Sequence, residues 1–220
     1  MNNQPSTIDN QLIRAVEQAD SSQGLIDAVN NLAIAQIEEA IPTLIKVLGY
    51  NNPGAAVAAV DGLVQLGESA VLPLLEKLDG YNYGARAWAI RALAGIGDPR
   101  GLDILLEAAA NDFSFSVRRG AARGLGVMHW QKLPAAEISD AQLLAFKTLL
   151  QVSQDSEWVV RYAAVVGLQG LAKAIKVNHS NCFQDILTRL EDIVDTDTTL
   201  AVSARAQMAI ANLGSKAINT

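Results

Sequence analysis

Apolar residues recur along most of this chain at intervals of three and four positions. This spacing places them on one face of an α-helix, because an α-helix has 3.6 residues per turn. The strict alternation of apolar and polar residues that marks a half-buried strand does not occur within these segments. The pattern therefore predicts an all-α protein without β-strands.

One segment of this pattern is repeated along the chain. Four clear copies are Val57–Leu63, Ala87–Leu93, Arg119–Leu125 and Tyr162–Leu168. The last residue of each copy defines an anchor position, and one further anchor precedes and follows them, giving Leu32, Leu63, Leu93, Leu125, Leu168 and Ile210. Successive anchors are 31, 30, 32, 43 and 42 residues apart. Periods of this length are typical of stacked helical hairpins.

The predicted architecture is thus an alpha-alpha superhelix, a HEAT-like repeat solenoid of about six helical hairpins. We expect a single domain over residues 1–220, with flexible ends at 1–7 and 214–220. Pro42 and Pro73 stand in register in the first helices of two hairpins and are predicted to kink them. Asp98 is predicted to cap the next first helix, with Pro99 at its first position.

The two longest repeats each contain about a dozen extra residues relative to the first three. The obvious places for the insertions are residues 134–139 and 177–181.

Two arginines have a structural explanation. Asp112 precedes Arg118 by six residues, and Asp155 precedes Arg161 by six. This spacing resembles that of HEAT repeats, in which an aspartate in the turn caps the second helix and the arginines reach adjacent turns. Arg86 occupies the same column, but Gly80 stands in place of its aspartate.

Other charged residues lie on a different stripe. The residues six and two positions before each anchor are four apart, so they share one helical face. In chain order these pairs are Val57/Asp61, Ala87/Arg91, Arg119/Arg123, Tyr162/Val166 and Ala204/Met208. In a stack of hairpins the second helices line the inner, concave wall, which is where repeat proteins bind their partners. We interpret the stripe as a binding face, the alternative being a solvated surface.

Aromatic residues form a further column, ten residues before three consecutive anchors: Tyr83, Phe115 and Trp158. Phe115 is expected to fill the gap to the neighbouring hairpin. Tyr81, Tyr83 and Trp158 are the better candidates for contact with a flat ligand, and Trp88 lies near them.

Composition narrows the class of function. The formal net charge of −6 argues against non-specific nucleic-acid binding, which requires a basic surface. No apolar stretch is long enough to cross a bilayer, and the first residues lack a signal-peptide pattern. With one cysteine, Cys182, no internal disulfide can form, which indicates a reducing compartment.

No catalytic constellation is present. The sequence has no phosphate-binding glycine loop, no HExxH and no nucleophile elbow. His129 and His179 are too far apart for a local metal pair, and no metal site is predicted. His179 and Cys182 make a weak thiol–base pair, and we favour a buried or unreactive thiol. Chemistry alone therefore indicates a binding module.

Four longer runs carry a more specific resemblance: residues 48–60, 80–99, 112–126 and 155–168. They resemble the E/F-type phycobilin lyases of cyanobacteria, and within that family the F (beta) subunits of phycocyanobilin lyases that act on the phycocyanin alpha chain. The resemblance extends from about Leu12 to Leu171 and goes beyond what HEAT repeats share in general.

The resemblance implies a heterodimer with a longer E-type (alpha) subunit, located in the cytoplasm and associated with phycobilisome assembly. The pair would bind phycocyanobilin and attach it, reversibly, by a thioether between the ring-A ethylidene group and a cysteine of the phycocyanin alpha subunit. The bilin is the substrate, and no cofactor is expected. The nucleophilic thiol belongs to the acceptor, so catalytic residues are not assigned.

The resemblance implies that the ligand of the stripe is the bilin. Arginines can clamp the two bilin propionates, a carboxylate can accept from the pyrrole N–H groups, and aromatic rings can stack on the pigment. The predicted bilin-binding residues are Asp61, Tyr83, Trp88, Arg91, Arg119, Arg123, Trp158 and Tyr162.

Related lyases that isomerise the bilin have an adjacent His-Cys pair, which is absent here, so simple addition is expected. The alternatives are a non-enzymatic HEAT-repeat scaffold or chaperone, and a lyase subunit that serves a phycoerythrin chain.

Overall fold

A computed structural model describes residues 7–78, 83–176 and 179–214. The described residues contain no strand, which confirms the predicted all-α class. They form twelve α-helices: α1 (Thr7–Glu17), α2 (Ser22–Ala35), α3 (Ile41–Val47), α4 (Pro53–Leu66), α5 (Glu68–Lys77), α6 (Tyr83–Ile96), α7 (Leu102–Asn111), α8 (Phe115–Leu125), α9 (Ala135–Val152), α10 (Trp158–Ile175), α11 (Ser180–Thr196) and α12 (Leu200–Gly214). No helix in these ranges is long and apolar enough to span a membrane.

Local signals explain where several helices begin and end. The Ser21 side chain accepts from the Gly24 N–H at the start of α2, and the Asn52 side chain accepts from the Ala55 N–H at the start of α4. Each satisfies a backbone donor that the first turn leaves without a partner. The last turns of α4 and α6 are closed by Gly67 and Gly97, whose φ angles of 62° and 65° are costly for other residues.

Consecutive helices pack as six hairpins, α1 with α2 through α11 with α12, as predicted. All six anchors lie on the even-numbered helices. The first five are buried leucines, whereas Ile210 on α12 is half-buried.

The structure divides into two compact units, residues 1–98 and 99–220. In the first unit α2, α4 and α6 lie side by side, and in the second α8, α10 and α12 do so. The prediction of one continuous domain stays a prediction. Most of the predicted flexible ends, residues 1–6 and 215–220, lies outside the described residues, and Thr7 and Gly214 belong to helices.

Glycine lets α8 and α10 approach very closely. A Cβ atom at Gly170 would lie 2.1 Å from the carbonyl oxygen of Gly126, and one at Gly167 would lie 2.4 Å from that of Ala122. Such distances are far inside van der Waals contact, so no side chain fits at this crossing. The contact fixes the spacing between two helices whose outer faces carry predicted site residues.

The predicted insertion at residues 134–139 is wrong. Ala135 begins α9, and the additional residues lengthen the helices of the later repeats, so that α9 and α10 each have 18 residues and α11 has 17. A short 3-10 turn, Trp130–Lys132, precedes α9. At the second predicted insertion, residues 177 and 178 lie outside the described residues, and Ser180 already belongs to α11.

The proline predictions are corrected in part. Pro42 is the second residue of α3 and follows a 3-10 turn, so its missing N–H costs no helical hydrogen bond. Pro73 lies inside α5, as predicted. Pro99 begins a 3-10 turn that runs into α7 at Leu102, so Asp98 precedes that turn and not α7 itself.

Candidate functional site

Two arginines link the turns at the start of α8, α10 and α12. Arg118 donates from Nε and Nη2 to the carboxylate of Asp155, at 2.7 and 3.0 Å, and from Nη1 to the Asp112 carbonyl at 2.9 Å. Arg161 makes the same bonds, at the same distances, to the Asp197 carboxylate and the Asp155 carbonyl. We call these pairs the arginine–aspartate ladder. The predicted structural role of both arginines is confirmed.

The aspartate in each of the three turns also caps that turn. Asp112, Asp155 and Asp197 accept from the backbone N–H two residues ahead, on Ser114, Glu157 and Thr199. Sequence analysis missed Asp197. The signal was present, because Asp197 follows Asp155 by nearly the same interval that separates Asp155 from Asp112.

The ladder lowers the pKa of two carboxyl groups. Burial alone would raise the pKa of Asp155, but hydrogen bonds from Arg118 and the Glu157 N–H and the nearby guanidinium charges lower it overall. For Asp197 the hydrogen bond from Arg161 is the largest influence and lowers the pKa against a smaller opposing effect of burial. Both aspartates are therefore ionised in the folded protein at neutral pH.

The ladder predicts a dependence of stability on pH. A lowered folded-state pKa contributes stability above the unfolded-state value, near 3.9, and that stability is lost as the pH falls through the folded value. We expect Asp197→Asn to lower the free energy of unfolding at pH 7 by about 2 kcal/mol, since it removes a charge-assisted bidentate pair. The difference from the native chain should shrink as the pH falls from 5 to 3.

Urea unfolding at several pH values measures this effect. Asp140→Asn is the matched control, because Asp140 is exposed on α9 and should tolerate the change within about 0.5 kcal/mol. A constant difference between Asp197→Asn and the native chain from pH 7 to pH 3 would contradict a charge-based role for the ladder.

The neighbouring stripe of α8 behaves differently from the ladder. Arg119 and Arg123 are exposed, and neither forms a salt bridge within the part of the chain that the structure describes. They are four residues apart and so lie on one face of α8, one turn from each other. The fold thus uses Arg118, whereas Arg119 has no ionic partner among the residues that the structure describes.

The adjacent helix α10 presents aromatic rings on the same side. Trp158 and Tyr162 are both exposed and four residues apart. Because α8 and α10 pack together at the glycine contact, the second unit places Arg119, Arg123, Trp158 and Tyr162 on neighbouring helices. The next helix, α12, continues this surface with exposed Leu200 and Met208.

The first unit carries the other four predicted residues. Asp61 is exposed on α4, and α6 bears Tyr83, Trp88 and Arg91. The Arg91 guanidinium carbon lies 5.4 Å from the centre of the Trp88 ring, a cation–π contact that holds the arginine along its own helix. Trp88 is half-buried, and Arg91 remains exposed. The structure therefore groups the eight predicted residues as four on each unit. Tyr81 lies outside the described residues.

Exposure tests the role predicted for Phe115. It is half exposed as the first residue of α8, so the prediction that it fills a gap between hairpins is wrong. Cys182 is half-buried in the first turn of α11. His179 contacts the Ser139 hydroxyl at 3.2 Å.

The six hairpins, with repeat anchors on each second helix, define a HEAT-repeat protein. A family model described as HEAT repeats matches residues 71–169. Comparison with known sequences is more specific, and the chain belongs to the family of phycocyanobilin lyase beta subunits.

Two relatives and one solved structure establish this membership. The phycocyanobilin lyase subunit beta of Pseudanabaena tenuis is 56% identical over 207 residues, which cover 94% of this chain and 73% of the relative. The phycocyanin alpha phycocyanobilin lyase CpcF of Synechocystis is 51% identical over 203 residues, covering 92% and 93%. A chain in the complex of CpcE and CpcF of phycocyanin lyase from Nostoc is 54% identical with a TM-score of 0.71, covering 78% of this chain and 98% of the other.

Proposed function

We propose that this chain is the beta subunit of a heterodimeric bilin lyase. With an E-type (alpha) subunit it binds phycocyanobilin and attaches it, reversibly, by a thioether to a cysteine of the phycocyanin alpha subunit. The pair works in the cytoplasm of a cyanobacterium, during phycobilisome assembly. Similarity to proteins named for this activity, over more than nine-tenths of the chain, supports the assignment.

The observation that carries the proposal is a pair of exposed arginines beside exposed aromatic rings, the arginines forming no salt bridge with any residue that the structure describes. Phycocyanobilin is an open-chain tetrapyrrole with two propionates, and Arg119 and Arg123 offer two planar cations one helical turn apart. Trp158 and Tyr162 on the adjacent helix offer surfaces on which pyrrole rings stack. An acidic protein that exposes two such cations on one helical face is suited to an anionic, flat ligand.

The first unit contributes groups of the same chemistry. Asp61 is an exposed carboxylate without a hydrogen bond among the described residues, and it can accept from pyrrole N–H groups. Arg91, supported by Trp88, can bind a further carboxylate. We assign these residues to bilin binding on the basis of their chemistry and exposure.

Attachment itself is an addition. The acceptor sulfur bonds to the ethylidene carbon of ring A, the exocyclic double bond is consumed, and a proton completes the product, so no oxidant or reductant is required. The residues of this chain would bind and orient the pigment, and such positioning can account for a large part of a rate enhancement. The bilin is the substrate, and no cofactor is involved. The remaining double bonds of the bilin are not isomerised.

Reconstitution tests the assignment. The chain is co-expressed with an E-type partner, the apo phycocyanin alpha chain and a phycocyanobilin source, and zinc-induced fluorescence is read on the denatured acceptor. We expect a covalent signal that is lost when either lyase subunit is omitted. A folded heterodimer that binds no bilin and attaches none would contradict the proposal and favour a scaffold. Attachment to a phycoerythrin chain alone would contradict the acceptor.

A further inference from the structure

A row of apolar side chains lies exposed at the start of three second helices. Phe115, Trp158 and Leu200 are the first residues of α8, α10 and α12, and they are 50%, 47% and 82% exposed. Phe113, in the turn before α8, is 80% exposed. We call these four residues the apolar edge. Large apolar residues that recur in register and face solvent indicate an interaction surface.

The backbone beneath the apolar edge is held rigidly. The first residues of α8, α10 and α12 each come three positions after the aspartate that caps the preceding turn. Phe115 and Trp158 also come three positions before a ladder arginine. The Phe113 carbonyl also accepts from Arg118 at 3.1 Å. Because these turns are already ordered, the edge loses little backbone entropy when a partner binds it, which favours binding.

From these observations we infer that the apolar edge docks the acceptor phycobiliprotein chain. The inference rests on the proposed bilin lyase function. Phe115 lies one turn from Arg119, and Trp158 lies one turn from Tyr162, so the edge borders the proposed bilin-binding residues of the second unit. A carbon–sulfur bond can form only if the acceptor cysteine reaches the bound pigment. An acceptor that docks on the apolar edge would have its cysteine close to the proposed bilin-binding residues.

The size of the apolar edge fits a transient partner better than a permanent one. Buried aromatic side chains contribute 150 to 250 Å² each, so at their observed exposures the four residues offer on the order of 500 Å². A stable interface buries about 800 Å² on each partner, and transient encounters bury less. The acceptor has to leave after each attachment, whereas the E-type subunit stays in the heterodimer. The area of the apolar edge therefore fits the acceptor chain, which dissociates, better than the E-type subunit, which does not.

The test uses the heterodimer with a Phe115→Ser/Leu200→Ser double variant. Neither residue belongs to the proposed bilin-binding set, and both are exposed at helix starts, where serine is tolerated. We expect the KM for the apo phycocyanin alpha chain to rise at least about tenfold, because the double variant removes the apolar area that Phe115 and Leu200 would bury against the acceptor. Assembly with the E-type subunit and the absorption change on adding phycocyanobilin should be unchanged.

The matched control is Val127→Ser/Leu144→Ser, which removes two side chains of 53% and 50% exposure outside the apolar edge. Its KM for the acceptor should equal that of the native heterodimer. An unchanged KM in the edge variant would overturn the inference. Loss of heterodimer assembly would assign the edge to the E-type subunit, and loss of the absorption change would assign it to the pigment, and both outcomes overturn it. A native heterodimer that attaches no bilin would instead refute the proposed function, and the inference with it.

Discussion

Replacing Arg119 and Arg123 together with glutamate should reduce bilin attachment at least 100-fold while leaving the chain folded. Each arginine–propionate pair is a charge-assisted interaction of about 1.5 to 3 kcal/mol, and glutamate replaces attraction with repulsion. The sum corresponds to a factor of at least 10² in binding. Because both side chains are exposed and form no salt bridge within the described residues, the thermal unfolding midpoint should change little.

Attachment is measured as zinc fluorescence of the acceptor, and pigment binding as the absorption change of the heterodimer. Lys147→Glu is the control, since Lys147 is an exposed cation on α9, on a different helix of the same unit. It changes the net charge in the same direction and should leave attachment unaffected. Full activity of the Arg119→Glu/Arg123→Glu variant would remove both arginines from the bilin site.

Alanine at Gly170 should destabilise the protein by about 3 kcal/mol or more. Its Cβ would lie 2.1 Å from the Gly126 carbonyl oxygen, and backbone atoms cannot move aside as a flexible side chain can. Overpacking of this kind typically costs about 1 to 3 kcal/mol, and more where the contact is with the backbone. Forcing α8 and α10 apart would also separate Arg119 and Arg123 from Trp158 and Tyr162. We therefore expect bilin attachment to fall as well.

Gly120→Ala is the matched control. Gly120 lies in the middle of α8, and no atom approaches within 4 Å of the position that its Cβ would take. The same substitution there should stabilise the chain by up to about 1 kcal/mol, because alanine has the higher helix propensity. Chemical unfolding curves compare the two variants. Equal stability of Gly170→Ala and Gly120→Ala would show that the crossing of α8 and α10 is looser than the structure indicates.

Periodicity predicted most of the fold, because the forces that define helices and hairpins are local. The 3.6-residue pattern and the recurring anchors were sufficient to predict six helical hairpins. The anchors also placed all eight predicted site residues on second helices. The insertions were misplaced because additional residues with helical propensity extend an existing helix, and a weak apolar pattern does not distinguish that extension from a loop.

The arginine–aspartate ladder combines contacts between residues close in sequence with contacts between residues far apart in sequence. The six-residue spacing predicted that Asp112 caps its helix and that Arg118 reaches an adjacent turn, and both contacts are present. The carboxylate partner of Arg118, Asp155, lies 37 residues away and comes into reach only when α8 and α10 pack. Asp197 was missed for the same reason, since no arginine follows it at the expected spacing.

The sequence by itself determined the helix order, the repeat, the buried anchors and the family, because each depends on residue type and spacing along the chain. Only the tertiary structure decided that Arg118 and Arg161 form ion pairs with the aspartate of the next turn, whereas Arg119 and Arg123 form none among the described residues. It also decided that Phe115 and Leu200 face solvent and that α8 and α10 meet at glycine. These outcomes depend on which surfaces of neighbouring repeats come into contact, and that is a property of the packed stack and not of any one segment.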